Sequence, residues 1–149
     1  MNIYISSDHA GYELKFNLVS MLIEEFKNHE VFDCGPYSEE LVDYPTFAEK
    51  VCENVLFNEG SLGILICGTG IGMSIAANKI KGIRAALCND IFSARLARQH
   101  NNANVLVLGS RVIGNGLAQE IVTSFLQSEF EGGRHSERLA LIKNLENRN

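Results

Sequence analysis

Short apolar runs alternate with longer amphipathic stretches from one end of the chain to the other. NIYIS (2–6) predicts a strand, and Gly11 to Phe26 predicts a helix whose Leu14, Leu18, Met21, Leu22 and Phe26 share one face. EVFDC (30–34) predicts a second strand, followed by a turn-rich PYSEE segment and a helix from about Tyr44 to Phe57. LGILIC (62–67) leads to a helix over Ile71 to Ile80, and IRAALC (83–88) leads to one running from an N-cap at Asp90 to His100. NVLVLG (104–109) precedes a helix carrying Leu117, Ile121, Val122 and Phe125. A last helix, 136–146, follows Gly132-Gly133.

Strands that alternate with helices imply a parallel sheet joined by right-handed crossovers and covered on both sides. The expectation is a three-layer, Rossmann-like α/β fold with a five-stranded parallel sheet, one domain over 1–149. The third and fourth strands are nearly unbroken apolar runs, as strands covered on both faces should be. Ligands in such sheets bind beyond the carboxyl ends of the strands. The segments expected there are Ser7-Asp8-His9, Gly35 to Tyr44, Cys67 to Gly72, Asn89-Asp90 and Ser110-Arg111.

Composition narrows the function classes. The 149 residues are 46% hydrophobic and 21% charged, an ordinary globular profile, and the net charge is −5. That balance argues against a nucleic-acid or anionic-membrane surface, either of which wants a dense basic face, but it leaves room for a small anion pocket. No apolar run approaches the ~20 residues of a membrane span. The start, MNIYISSDH, has no basic or long apolar leader region. Cys34, Cys52, Cys67 and Cys88 lie far apart and match no zinc spacing. They are expected to be free thiols of a cytoplasmic protein with no metal, most of them in the core.

Gly68-Thr69-Gly70-Ile71-Gly72 is compatible with more than one phosphate loop. A Walker A motif needs Lys and then Ser/Thr after its last glycine, and Met73 stands there instead. A C-x5-R phosphatase loop would need arginine at that same position. The dinucleotide pattern G-x-G-x-x-G matches at Gly68 and Gly70 and fails at Met73, although Asp90 lies near where a ribose-binding acid is expected. A glycine-rich turn from strand to helix also offers backbone N–H groups to an oxyanion. The threonine between alternate glycines favours that use over a merely tight turn. Cys67 opens the loop beside a helix N-terminus, where the field favours the thiolate. Asp8-His9 closes the first strand at the same edge. Arg134 and Arg138, four apart in GGRHSER, can point one way, and such a pair suits a phosphate.

With these segments assembled, the sequence resembles the ribose-5-phosphate isomerase B family, which is related to the galactose-6-phosphate isomerases. SDHAG (7–11), DYP (43–45), ILICGTGIGMSIAANK (64–79), GIRAA (82–86), RQHNNANVLVLGSRV (98–112) and EGGRHSER (131–138) carry the likeness over nearly the whole chain. The resemblance implies interconversion of ribose 5-phosphate and ribulose 5-phosphate through an enediolate, within the pentose phosphate pathway, without metal or organic cofactor. It implies that Cys67 moves the proton between C1 and C2, while Thr69 and the N–H groups of Gly68, Gly70, Ile71 and Gly72 hold the enediolate oxygen. It also implies that His100 opens the furanose ring, that Asp8 contacts the sugar and Asn101 a hydroxyl, and that His9, Arg111, Arg134 and Arg138 gather around the phosphate. Some members use glutamate as the base; the matching position here is Ser74 or a neighbour, so the thiol version applies. Tyr44, in DYP, is open to two roles, wall of the sugar pocket or ordinary packing.

Helix geometry adds one expectation. The helix from Asp90 to His100 leaves the fourth strand at the edge where Cys67 lies, and at ~1.5 Å per residue it travels about 16 Å. His100 and Asn101 therefore fall at the far edge of their own sheet. The site is expected to straddle a two-fold interface of a homodimer, with or without further pairing into tetramers. The competing expectation from another class is a nucleotide-binding regulatory module that uses the glycine loop and Asp90. A third is a purely structural relative, which the joint presence of Cys67, His100 and both arginines disfavours.

Overall fold

In a computed structural model, which describes residues 1–148, the elements follow in the expected order. They are β1 (Asn2–Ser7), α1 (Tyr12–Glu25), β2 (Glu30–Asp33), α2 (Tyr44–Phe57), β3 (Leu62–Cys67), α3 (Ile71–Ala77), β4 (Ala85–Leu87), α4 (Ile91–Asn101), β5 (Val105–Gly109), α5 (Asn115–Gln127) and α6 (Arg134–Glu146). The strands form one parallel sheet in the order β2–β1–β3–β5–β4. After β1 the chain moves outward to β2, then returns to place β3 on the other side of β1. The strand order reverses there, and the region beyond the carboxyl ends of β1 and β3 is where ligands bind in such sheets.

Each face of the sheet has its own core. On one, Leu14, Leu18 and Leu22 of α1 and Ile121, Val122 and Phe125 of α5 cover Ile3, Ile5, Ile64, Ile66, Leu106 and Leu108, with Ala94 and Ala97 of α4 beside them. On the other, Ala48, Val51, Cys52 and Val55 of α2 and Met73 and Ala77 of α3 cover Tyr4, Leu65, Val105 and Val107. Every residue of β3 is buried, as its unbroken apolar run requires.

Three elements differ from expectation by two residues or more at an end, each for a local reason. The third helix stops at Ala77 because the Asn78 side chain leaves the helical ladder for β4. Its amide donates to the Ala85 carbonyl (3.0 Å) and its Oδ1 accepts the Ala85 N–H (2.9 Å). The fourth strand shrinks to three residues, since it is a sheet edge with β5 as its one neighbour. The last helix starts two residues early, at Arg134, directly after the glycine pair. It lies apart from the sheet, against α4, and leaves Leu141, Ile142 and Leu145 exposed.

Lys15 is the most deeply enclosed ionisable side chain of the described residues with a charge-bearing partner. It is 1% exposed, and its ammonium reaches Asp33 Oδ1 at 2.6 Å and the Pro36 carbonyl at 2.7 Å. Asp33 Oδ1 also accepts the Gly35 N–H at 2.9 Å, so one ion pair ties α1 to the loop between β2 and α2. That loop leads into Val42, whose N–H faces His9, and Tyr44, whose ring lies over Gly72. Removing one partner of a buried pair leaves the other uncompensated. Lys15→Ala is expected to lower unfolding stability by about 3 kcal/mol, the low end for such pairs because Asp33 keeps some solvent contact. Denaturant unfolding of the variant beside the parent checks this.

Candidate active site

Parallel register carries β1, β3 and β5 to a common edge. Ser7 lies beside Ile66, and Cys67 beside Gly109. The residues that follow these strands are therefore neighbours. Asp8 donates its N–H to the Ile66 carbonyl (3.0 Å) and Ser110 donates its N–H to the Cys67 carbonyl (2.9 Å), while Ser110 Oγ reaches back to the Ala10 carbonyl (2.8 Å). Asp8 is buried, and its Oδ1 accepts the Gly11 N–H at 3.0 Å, which closes the turn into α1. His9 Nδ1 faces the Val42 N–H at 3.5 Å.

Cys67 ends β3 with its sulfur turned into the glycine loop, where Sγ accepts the Gly70 N–H at 3.2 Å. Gly70 has φ +79°, the left-handed region, and a Cβ there would strike the Leu87 side chain and lie 3.1 Å from the Leu108 backbone. Gly109 meets the loop from below: a Cβ on it would stand 2.6 Å from the Thr69 carbonyl oxygen. These two glycines let the loop settle onto the sheet edge with Thr69 exposed above it. The Ile71 N–H is 3.3 Å from Thr69 Oγ1. Two of the backbone donors that the resemblance offers to a ligand, those of Gly70 and Ile71, are thus already engaged by Cys67 and Thr69. Arg111 donates its N–H to the Gly68 carbonyl (2.9 Å), and its guanidinium lies along Gly68. The Tyr44 ring covers Gly72 closely enough that a Cβ there would stand 2.7 Å from Cζ. Tyr44 therefore borders the loop.

The other cysteines sit in different surroundings. Burial pushes the Cys52 thiol up to about 12, with Glu53 adding to it, and the Cys88 thiol up to about 11, with Asp90 adding to it. Burial also raises Cys34. These three are protonated core residues, as expected.

A second cluster forms at the opposite edge of the sheet. His100, in the last turn of α4, stacks on His135 of α6 with ring centroids 4.2 Å apart and planes 11° apart. Glu131 Oε2 lies 3.9 Å from His100 Nε2 and 3.8 Å from His135 Nε2, and the Glu131 N–H bonds to the Gln99 carbonyl at 3.0 Å. The pKa of His135 is held below the ordinary histidine value by burial first, then by the neighbouring His100, Arg134 and Arg138, with Glu131 opposing. The turn after His100 is clamped from both sides. Arg84 donates to the carbonyls of Asn101 (3.2 Å) and Asn102 (2.8 and 2.9 Å), and Arg98 donates to Asn102 Oδ1 (2.9 Å) and the Ala103 carbonyl (2.7 Å).

The candidate residues therefore fall into two groups within one chain. Asp8, His9, Cys67, Gly68 to Gly72 with Thr69, and Arg111 share the carboxyl edge. His100, Asn101, Arg134 and Arg138 share the amino edge, six strand residues away, or roughly 20 Å. The expected gathering of His9, Arg111, Arg134 and Arg138 is not made by a single chain. Helix direction explains the split, because α4 starts at the carboxyl edge and its length returns the chain to the amino edge. Asp90 also departs from the ribose-binding role weighed for it. Its two carboxylate oxygens are taken by the Ser93 N–H and hydroxyl, both at 2.7 Å, in an N-cap. Two neighbours of His100, Glu131 and His135, were not singled out from the sequence. Their four-residue spacing on either side of the glycine pair was the available signal.

Comparison with known proteins identifies the family. A family model described as Ribose/Galactose Isomerase matches residues 3–142. Ribose-5-phosphate isomerase B of Escherichia coli is 49% identical, over 98% of this chain and 97% of that one. Among solved structures, ribose-5-phosphate isomerase B of Clostridium thermocellum superposes with a TM-score of 0.95 at 49% identity, covering 99% of both chains. The ribose 5-phosphate isomerase of Thermotoga maritima does so with 0.91 at 55% identity, over 96% of this chain and 97% of that one. Fold, loop and extent of likeness coincide, and the chain belongs to the ribose/galactose isomerase family.

Proposed function

We propose that the chain interconverts ribose 5-phosphate and ribulose 5-phosphate by proton transfer through an enediolate, at a site completed by a second copy of itself. The observation that carries the chemistry is the Cys67 sulfur at the mouth of the Gly68–Gly72 turn, accepting one loop N–H. A hydrogen beside a carbonyl is only weakly acidic, so a base needs a partner that holds the developing oxyanion. General base catalysis supplies typically ~10² to 10⁴-fold, and an oxyanion donor about 3–4 kcal/mol. Cys67 and the loop offer both to the same pair of carbons.

The steps follow from the two groups of residues. His100 moves the proton that frees the ring oxygen and opens the furanose, with Asn101 on a hydroxyl and Asp8 against the sugar. Cys67 takes the proton from C2, the electron pair moves onto the carbonyl oxygen, and the Thr69 hydroxyl, with the loop N–H groups other than those of Gly70 and Ile71, holds the resulting oxyanion. The same thiol then delivers the proton to C1 as the C2 hydroxyl gives up its proton and O1 gains one, so that C2 becomes the carbonyl and C1 the CH2OH. One carbon is oxidised as its neighbour is reduced, so the balance closes within the sugar. The phosphate is remote from the reacting carbons, and binding it to His9, Arg111, Arg134 and Arg138 holds the open chain in place.

Two copies are needed because the groups lie at opposite edges of one sheet. A two-fold axis that sets the amino edge of one copy against the carboxyl edge of the other builds two equal sites. The exposed Leu141, Ile142 and Leu145 of α6, and a groove of about 800 Å³ lined by Ile83, Ala85, Leu139 and Ile142, supply the apolar surface for such pairing. Four free cysteines fit a reducing, cytoplasmic setting, and among the described residues no helix is long and apolar enough to cross a membrane.

Cys67→Ala is expected to slow exchange of the C2 hydrogen with solvent deuterium by roughly 10² to 10⁴-fold, read by NMR of ribose 5-phosphate. Exchange at the parental rate would overturn the assignment of the base. Mixed in equal amounts, Cys67→Ala and His100→Ala chains should regain about a quarter of parental activity, since random pairing leaves one intact site in each hybrid. No recovery, with subunit exchange verified by mass spectrometry, would remove the shared site. Alkylation of the folded protein near pH 8 is expected at Cys67 first, slowed by sugar phosphate. Cys52 and Cys88 should resist it, because burial keeps them protonated at that pH.

A further inference from the structure

We propose that His100, Glu131 and His135 form a binding site for a first-row divalent metal ion of the zinc class. One donor atom from each residue lies within 4.8 Å of the others. Glu131 Oε2 stands 3.9 and 3.8 Å from the two ring nitrogens, beyond hydrogen-bond length, so neither imidazole is committed to the carboxylate. Bonds of about 2.0–2.2 Å to a tetrahedral ion place its donors roughly 3.3 Å apart. Each carboxylate–imidazole distance then needs to close by about half an ångström. Glu131 can supply that movement, because its side chain is half exposed while its backbone is fixed to Gln99. The rings stack with planes 11° apart, so their lone pairs lie in separate planes, and the partly exposed His100 ring has to tilt out of the stack for both nitrogens to reach one ion.

The donor set selects the ion. Two imidazoles and one carboxylate suit zinc, cobalt or nickel and leave a fourth position open, whereas magnesium and calcium prefer oxygen ligands. Arg134 and Arg138 act on His135 as positive neighbours and oppose a bare dication. The bound form therefore favours an anion, such as phosphate, in the fourth position. The ion would hold the His100 lone pair, so the site is inhibitory. That consequence rests on the ring-opening role given to His100 above; the binding itself does not.

A chelator-stripped Cys67→Ser protein, which removes the competing thiol, is titrated with cobalt(II) by visible absorption and with zinc by calorimetry. The expected result is about one ion per chain with tetrahedral cobalt bands. Glu131→Gln and His135→Gln should each weaken binding by at least about tenfold. Glu131→Gln changes a half-exposed side chain, which keeps the test usable if the buried His135 variant fails to fold. No binding, or binding unchanged in the glutamine variants, overturns the site. In chains that retain Cys67, zinc should inhibit isomerisation reversibly and about tenfold less strongly in Glu131→Gln than in the parent. Equal inhibition in both overturns the inhibitory role. Intact binding with no inhibition would leave the site standing and remove His100 from ring opening.

Discussion

The alignment of three strand ends supports everything at the carboxyl edge. Parallel pairing puts Cys67 beside Gly109 and Ser7 beside Ile66, and short backbone bonds then lock together the segments that follow. Side chains alternate across a sheet with a period of two, so a slip of one residue would turn the Cys67 sulfur to the opposite face, away from its own loop. Unbroken burial of β3, with a separate core on each side, resists that slip. The chemistry thus depends on packing that contains no chemistry of its own.

Close backbone approach is the second constraint. Gly109 lets the loop carbonyl of Thr69 come down onto β5, and Gly70 takes a left-handed turn against Leu87 and Leu108. The result is a loop that presents a hydroxyl outward and an N–H inward to sulfur. Cys34, Cys52 and Cys88 lack such a donor-bearing loop, and burial alone sets their behaviour by disfavouring the charged form. Four residues of one type therefore divide by environment, one set against a donor-bearing loop and three placed to fill space.

At the other edge the organisation is electrostatic. Arg84 and Arg98 gather the carbonyls that end α4, where a helix carries partial negative charge, and so fix the turn that bears His100 and Asn101. Glu131 joins the α6 approach to α4 through its backbone. Beyond that junction α6 buries little of its own, and His135 is its one buried residue among those described. A helix left so bare by its own chain is consistent with a surface completed by a second copy.

The alternation of apolar runs and amphipathic stretches determined the element order, the parallel sheet and the two-sided core, because those periodicities follow from backbone geometry. The CGTGIG, HNNAN and GGRH segments marked the candidate thiol, imidazole and arginines. Helix rise alone separated His100 from Cys67. Sequence could not show the donors that the loop keeps for itself, the N-cap that occupies Asp90, or the meeting of Glu131 and His135 with His100. Nor could it place Lys15 in the interior or Tyr44 over Gly72. Each of these depends on the distance between atoms far apart along the chain or on competition for one hydrogen, and only the packed chain sets those.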